Sequence, residues 1–92
     1  FTSESEIRVH ELEVRPQMNS NVLRIVKMRL ESGQLVFRLI SPDGQVQWEQ
    51  EFAASANYQD TFELEVIPGV WKLEIELENA KGIYEIRWEA SD

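Results

Sequence analysis

From Gly69 to Glu78 the chain reads Gly-Val-Trp-Lys-Leu-Glu-Ile-Glu-Leu-Glu. Trp71, Leu73, Ile75 and Leu77 take alternate positions with charged residues between them. That is the period of a strand with one dry face and one wet one. A helix repeats every 3.6 residues and would scatter the four apolar side chains around its circumference. The same alternation recurs along most of the 92 residues, so an all-β chain is expected.

Seven short strands are predicted. In Glu6 to Arg15 the apolar residues are Ile7 and Val9, then Leu12 and Val14. The change of phase at His10-Glu11 reads as a β-bulge, and Pro16 ends the strand. From Val22 to Glu31, Val26, Met28 and Leu30 are expected to point inward. Leu23 and Ile25 fall on the other parity, as a second bulge would place them. Glu31-Ser32-Gly33-Gln34 reads as a turn into a third strand carrying Leu35, Phe37 and Leu39. A hairpin there pairs Leu30 with Leu35, Met28 with Phe37 and Val26 with Leu39. Ser41-Pro42-Asp43-Gly44 is the clearest turn in the chain, since Pro presets φ and Gly accepts the left-handed conformation. The strand after it, Gln45 to Phe52, is expected to pair Val46 with Leu39 and Trp48 with Phe37.

Ala53 to Gln59 breaks the alternation and reads as a crossover, before Phe62, Leu64 and Val66 resume it. Pro68-Gly69 turns a corner into the strand at 70–78. Asn79-Ala80-Lys81-Gly82 reads as a final hairpin, pairing Leu77 with Tyr84, Ile75 with Ile86 and Leu73 with Trp88. The fold expected is an antiparallel β-sandwich of about seven strands, jelly-roll or immunoglobulin-like, with a small barrel as the alternative. One open sheet would leave a face of Trp, Phe and Leu in water, and no segment reads as a helix to cover it. The whole of 1–92 is one domain, with 1–5 expected to fray.

Hydrophobic content of 42%, with three Trp, four Phe and two Tyr, is enough for a core. No run of about 18 apolar residues occurs, so no membrane insertion is expected. Cysteine is absent, which excludes disulfides, thiolate metal sites and a Cys nucleophile. Net charge is −8 and unevenly placed: residues 1–46 hold six acids and six bases, residues 47–92 eleven acids and three bases. Nucleic acid is a poor partner for such a surface, because phosphate contacts need basic residues.

Candidate chemistry is sparse. His10 is the only histidine, too little for a Ser-His-Asp arrangement or a zinc site, and reads as a surface residue. Of the fourteen Glu, Glu63, Glu65, Glu74, Glu76, Glu78, Glu85 and Glu89 fall on the outward parity of their strands. Across the last hairpin Lys72 faces Glu89 and Glu74 faces Arg87, whereas Glu76 faces Glu85. Glu76, Glu78 and Glu85 together would suit Ca²⁺, which prefers carboxylate oxygens; no other cofactor is expected. The simpler reading of these acids is a solvated face that keeps strand edges apart. Lys27 and Arg38 face each other across the 22–40 hairpin with Arg29 nearby, making a basic strip beside outward-facing Val36 and Ile40. These five residues are the expected partner surface for another protein or domain, unless Glu31 and Glu49 neutralise the strip. All three Trp fall on inward parity, as core residues do. Tyr58, flanked by Asn57 and Gln59, is the aromatic side chain best placed to stack on a sugar.

The run Ser-Gly-Gln-Leu, Ser-Pro-Asp-Gly, Pro-Gly-Val-Trp-Lys-Leu-Glu-Ile and Gly-Ile-Tyr-Glu-Ile spans about two thirds of the chain, from Leu30 to Ala90. It resembles the bacterial pre-peptidase C-terminal domains and the related P-domains of subtilisin-like proteases. The resemblance implies a secreted or cell-envelope, non-enzymatic appendage with a β-sandwich fold, often joined to a hydrolase. It transfers no functional residue, because the shared pattern is structural. The chain begins at Phe1 without Met or a signal-like segment, and processing from a longer precursor is expected. A non-catalytic module for protein or inter-domain contact is thus the expected function, with a carbohydrate- or calcium-binding accessory module as the alternative.

Overall fold

The structure is a computed structural model that describes residues Glu4–Ser91, with side chains from Ser5 to Ala90. It contains five strands: β1 (Glu4–Val14), β2 (Ser20–Ile40), β3 (Val46–Ala53), β4 (Ala56–Glu63) and β5 (Gly69–Ser91). All pair antiparallel in one sheet of order β1-β5-β2-β3, with β4 also on β2. β3 lies along Gln34–Ile40 and β4 along Val22–Leu30, so the two share one edge of β2. β5 covers the other edge of β2 for its whole length, from Ser20↔Ser91 to Ile40↔Lys72.

Five strands in place of seven is the main correction to the sequence reading, and its cause is specific. The expected hairpins at 31–34 and 79–82 are bends within β2 and β5, and the chain continues in strand geometry through both. Leu30 therefore does not pair with Leu35, nor Leu77 with Tyr84. Instead Leu35 pairs with Leu77, Phe37 with Ile75 and Leu39 with Leu73. The bends show in the dimensions. A straight 21-residue strand would run about 70 Å, yet the longest dimension of the molecule is 41 Å.

Register shifts between Leu30 and Ser32, and again between Ser32 and Gln34, mark the bend in β2. Gly33 takes φ +80° there and Asn79 on β5 takes φ 48°. A Cβ on Gly33 would overlap the Asn79 carbonyl, and one on Gly82 would overlap that of Arg29. Only glycine lets the two backbones close this tightly while turning.

The inner face of the bent sheet is dry. Leu23, Ile25, Leu35, Phe37, Leu39, Leu73, Ile75 and Ala80 have no exposed surface, although no helix of the described residues covers them. Trp48, Phe52, Tyr58, Phe62, Tyr84, Ile86 and Trp88 pack around this core, each partly buried. Fully burying one such side chain is worth roughly 1.5–3 kcal/mol. The Trp71 indole also donates Nε1–H to the Ile67 carbonyl at 3.1 Å, fixing the corner before β5.

Smaller corrections follow from the same ladders. β1 pairs with β5 without interruption from Glu6 to Val14, so no bulge occurs at His10-Glu11. Ile7 and Val9 consequently face outward and are 57% and 48% exposed. The second expected bulge is present, at Ile25–Met28, and moves burial from Leu23 and Ile25 to Met28 and Leu30, leaving Val26 half-buried. The Pro42-Asp43-Gly44 hairpin forms, but Trp48 meets Leu39 and Val46 meets Ile40, because the ladder shifts beside the turn. The seven-residue crossover shrinks to Ala54-Ser55, joined by a cis peptide bond, and β4 already ends at Glu63. Of the segment expected to fray, Glu4 and Ser5 belong to β1, and the Ser5 hydroxyl accepts Asn79 N–H at 3.0 Å. Residues 1–3 lie outside the described residues.

Candidate functional site

The ladders assemble a patch on the outer face of β1, β5, β2 and β3. Two rows run straight across it: Ile7–Glu76–Val36–Glu51 and Val9–Glu74–Arg38–Glu49. A depression of about 480 Å³ lies over them, lined by Gln34, Val36, Arg38, Glu49, Glu51, Glu76 and Glu78. Strand alternation alone makes these side chains neighbours, since every second residue of each strand points the same way.

Arg38 is the hub. Its Nε donates to Glu49 at 2.6 Å and its Nη1 to Glu74 at 3.1 Å, while Nη2 lies 3.6 Å from Glu76. The hydrogen bond to Glu49, then that to Glu74, raises its pKa above the usual guanidinium value against the lowering effect of burial. One cation thus serves three carboxylates, and Glu51 and Glu78 add two more at the margin. Five acids against one base leave the patch at −4. Apolar side chains border it: Ile7, Val9 and Val46 are each at least 48% exposed.

The five residues expected to form a partner surface are therefore divided. Val36, Arg38 and Ile40 share this face, but Lys27 and Arg29 lie beyond the bend. There Lys27 pairs with Glu85 in the ladder, and Arg29 with Ile83 and Asn57. The basic strip does not exist, because the hairpin that would make Lys27 face Arg38 is a bend. Its Arg38 end is neutralised by Glu49, as expected, and Glu31 lies 3.9 Å from Lys81. The pairs expected across the last hairpin change with it: Glu74 meets Arg38 rather than Arg87, and Arg24 bonds Glu89 at 3.2 Å.

The carboxylates considered for calcium are likewise split. Glu76 and Glu78 line the depression, whereas Glu85 sits opposite Lys27. Among the described residues no three His, Cys, Asp or Glu side chains are grouped to hold a metal ion. Tyr58 lies on β4 rather than in a loop, half-buried, with its ring centroid 4.8 Å from Phe52 and 6.3 Å from Trp48. Its hydroxyl donates to Asp60 at 2.9 Å. Burial first, then that hydrogen bond, raise its pKa to about 12. His10 is exposed, with Nε2 3.3 Å from the Tyr84 hydroxyl.

No family model, no curated protein and no solved structure matches this chain. The resemblance to pre-peptidase C-terminal domains rests on its motifs alone. No helix of the described residues is long and apolar enough to cross a membrane.

Sequence reading misses Ile7, Val9 and Glu51 as members of the patch, and finds Glu49 only as a neutraliser of Arg38. The strict odd-number alternation Ile7, Val9, Glu11, Glu13 on β1 was a signal for the outward face. It was overridden by the apolar character of the first two.

Proposed function

We propose that this chain is a non-catalytic β-sandwich module that docks onto a basic, partly apolar surface of another protein or domain. The bends at 31–34 and 79–82 support the sandwich reading, as does the approach of Trp71 to Trp88 across the bend in β5, with ring centroids 6.0 Å apart. The motif resemblance supplies the secreted or cell-envelope setting. One observation carries the reading: the acidic patch around Arg38 is bordered by exposed Ile7, Val9 and Val46. Apolar contact supplies affinity, and the unbalanced carboxylates select a cationic partner and steer its approach.

The test is a titration of ¹⁵N-labelled protein with an amphipathic Lys/Leu peptide, followed by amide shifts. Shifts should map to β1, 34–40 and 70–78 and shrink between 50 and 500 mM salt, about the range over which screening shortens to a few ångströms. A Glu/Leu peptide of the same pattern should leave the spectrum unchanged. Equal response to both peptides, or shifts confined to other strands, refutes the proposal.

A further inference from the structure

The two sides of β5 are not alike beyond the bend. The last described ladder pair of β1 on β5 is Glu4↔Ala80, and from Glu85 to Ala90 the only ladder partner among the described residues is β2. This stretch contains no proline, and the bulge beside it lies in β2, so the edge itself is regular. An unbulged edge is a template for another strand. We propose that this edge pairs antiparallel with the same edge of a second copy, extending the sheet across a two-fold axis at Trp88.

The charge pattern favours this edge over those of β3 and β4, and it selects the register. β3 carries Glu49 and Glu51, β4 carries Asp60 and Glu63, and neither holds a base, so a copy laid on itself sets acid against acid. On β5, Glu85, Arg87 and Glu89 alternate in sign on the exposed face. Facing residues of an antiparallel pair share a sheet face, so the axis must pass through a residue. Through Arg87 it would set Arg87 against itself and Glu85 against Glu89. Through Ile86 it would also set Glu85 against Arg87 twice, but it would leave Glu89 against exposed Ile83 and crowd Tyr84 against Trp88 on the inner face. Through Trp88 it sets Arg87 against Glu89 twice, with Ile86 beside Ala90 and the two half-buried indoles adjacent on the inner face. Arg87 is 60% exposed and only 3.9 Å from Glu85, free to turn toward the partner's carboxylate. Glu89 holds Arg24 at 3.2 Å and keeps acceptor sites for a second guanidinium.

Seven residues per copy make a small contact, so a dissociation constant of about 0.1–1 mM is expected. Sedimentation velocity from 10 µM to 2 mM should show a monomer–dimer equilibrium. Arg87→Glu and Glu89→Arg should each weaken it at least tenfold. The test that separates pairing from misfolding is an equimolar mixture of the two variants, in which every Arg–Glu contact is restored. That mixture should form a heterodimer, and the Arg87→Glu/Glu89→Arg double variant should dimerise alone. A wild-type chain that stays monomeric at 2 mM overturns the proposal. So do single variants that dimerise normally, or a mixture that does not recover.

Discussion

The two halves of β5 carry the same alternation and meet different fates. Trp71, Leu73, Ile75 and Leu77 are at most 2% exposed, in a stretch with β1 on one side and β2 on the other. Tyr84, Ile86 and Trp88 repeat the pattern past the bend, where β2 is the ladder partner, and remain half-buried. Alternation decides which face a side chain takes; flanking strands decide how deeply it is buried. The contrast predicts unequal energies from equal-looking sequence.

Truncation is the most direct way to break the contrast. Leu73→Ala should cost about 2–5 kcal/mol, whereas Ile86→Ala should cost about half as much or less, both read from urea denaturation. Equal losses would erase the distinction. The bend joining the halves is the next point of attack. Gly33→Ala forces a side chain to φ +80° against the Asn79 carbonyl and should cost more than about 1 kcal/mol. A melting temperature unchanged by that substitution would mean the backbones are not so closely apposed.

Removing the hub of the outer patch should do less. Arg38→Met leaves Glu49, Glu74 and Glu76 without their shared cation, at a cost of about 1 kcal/mol that 0.5 M salt should reduce. The same substitution should strengthen binding of the Lys/Leu peptide, because the patch becomes more negative.

A last effect shows only at alkaline pH and belongs to the thinner half, where Tyr58 and Tyr84 flank Met28. Tyr58 ionises near pH 12 in the folded chain and near 10 when unfolded. A phenol whose pKa is raised by folding contributes stability in full below pH 10 and loses it as pH rises toward 12. Stability should therefore fall across that window, and Tyr58→Phe should flatten the fall.

Strand class, and the face taken by most residues from 70 to 90, were legible because a two-residue period has no helical reading. The Pro42-Asp43-Gly44 turn is legible because its chemistry is local: the Ser41 hydroxyl and the Gln45 N–H both donate to the Asp43 carboxylate. The bends were not. Apolar alternation on both sides of a glycine describes a hairpin and a folded-over strand equally well, since inner residues meet inner residues either way. What separates them is the neighbour strand, here Leu35 finding Leu77 across 42 residues of chain, and no local signal carries that. The patch inherited the error: once Lys27 was paired with Arg38, a basic strip replaced the acidic face that Glu49, Glu74 and Glu76 build.

A strand that crosses a bend belongs to both sides of it. β2 runs through both halves and borders β3, β4 and β5, so neither half can come apart without tearing the spine of the other. Unfolding should be all-or-none, and a chain severed near residue 32 should yield no folded fragment. Assembly has a direction too. The β2–β5 loop spans 32 residues at Ile40/Lys72 and 71 at Ser20/Ser91, so the zipper closes from the short end, and its late steps make this a slow-folding topology for its size.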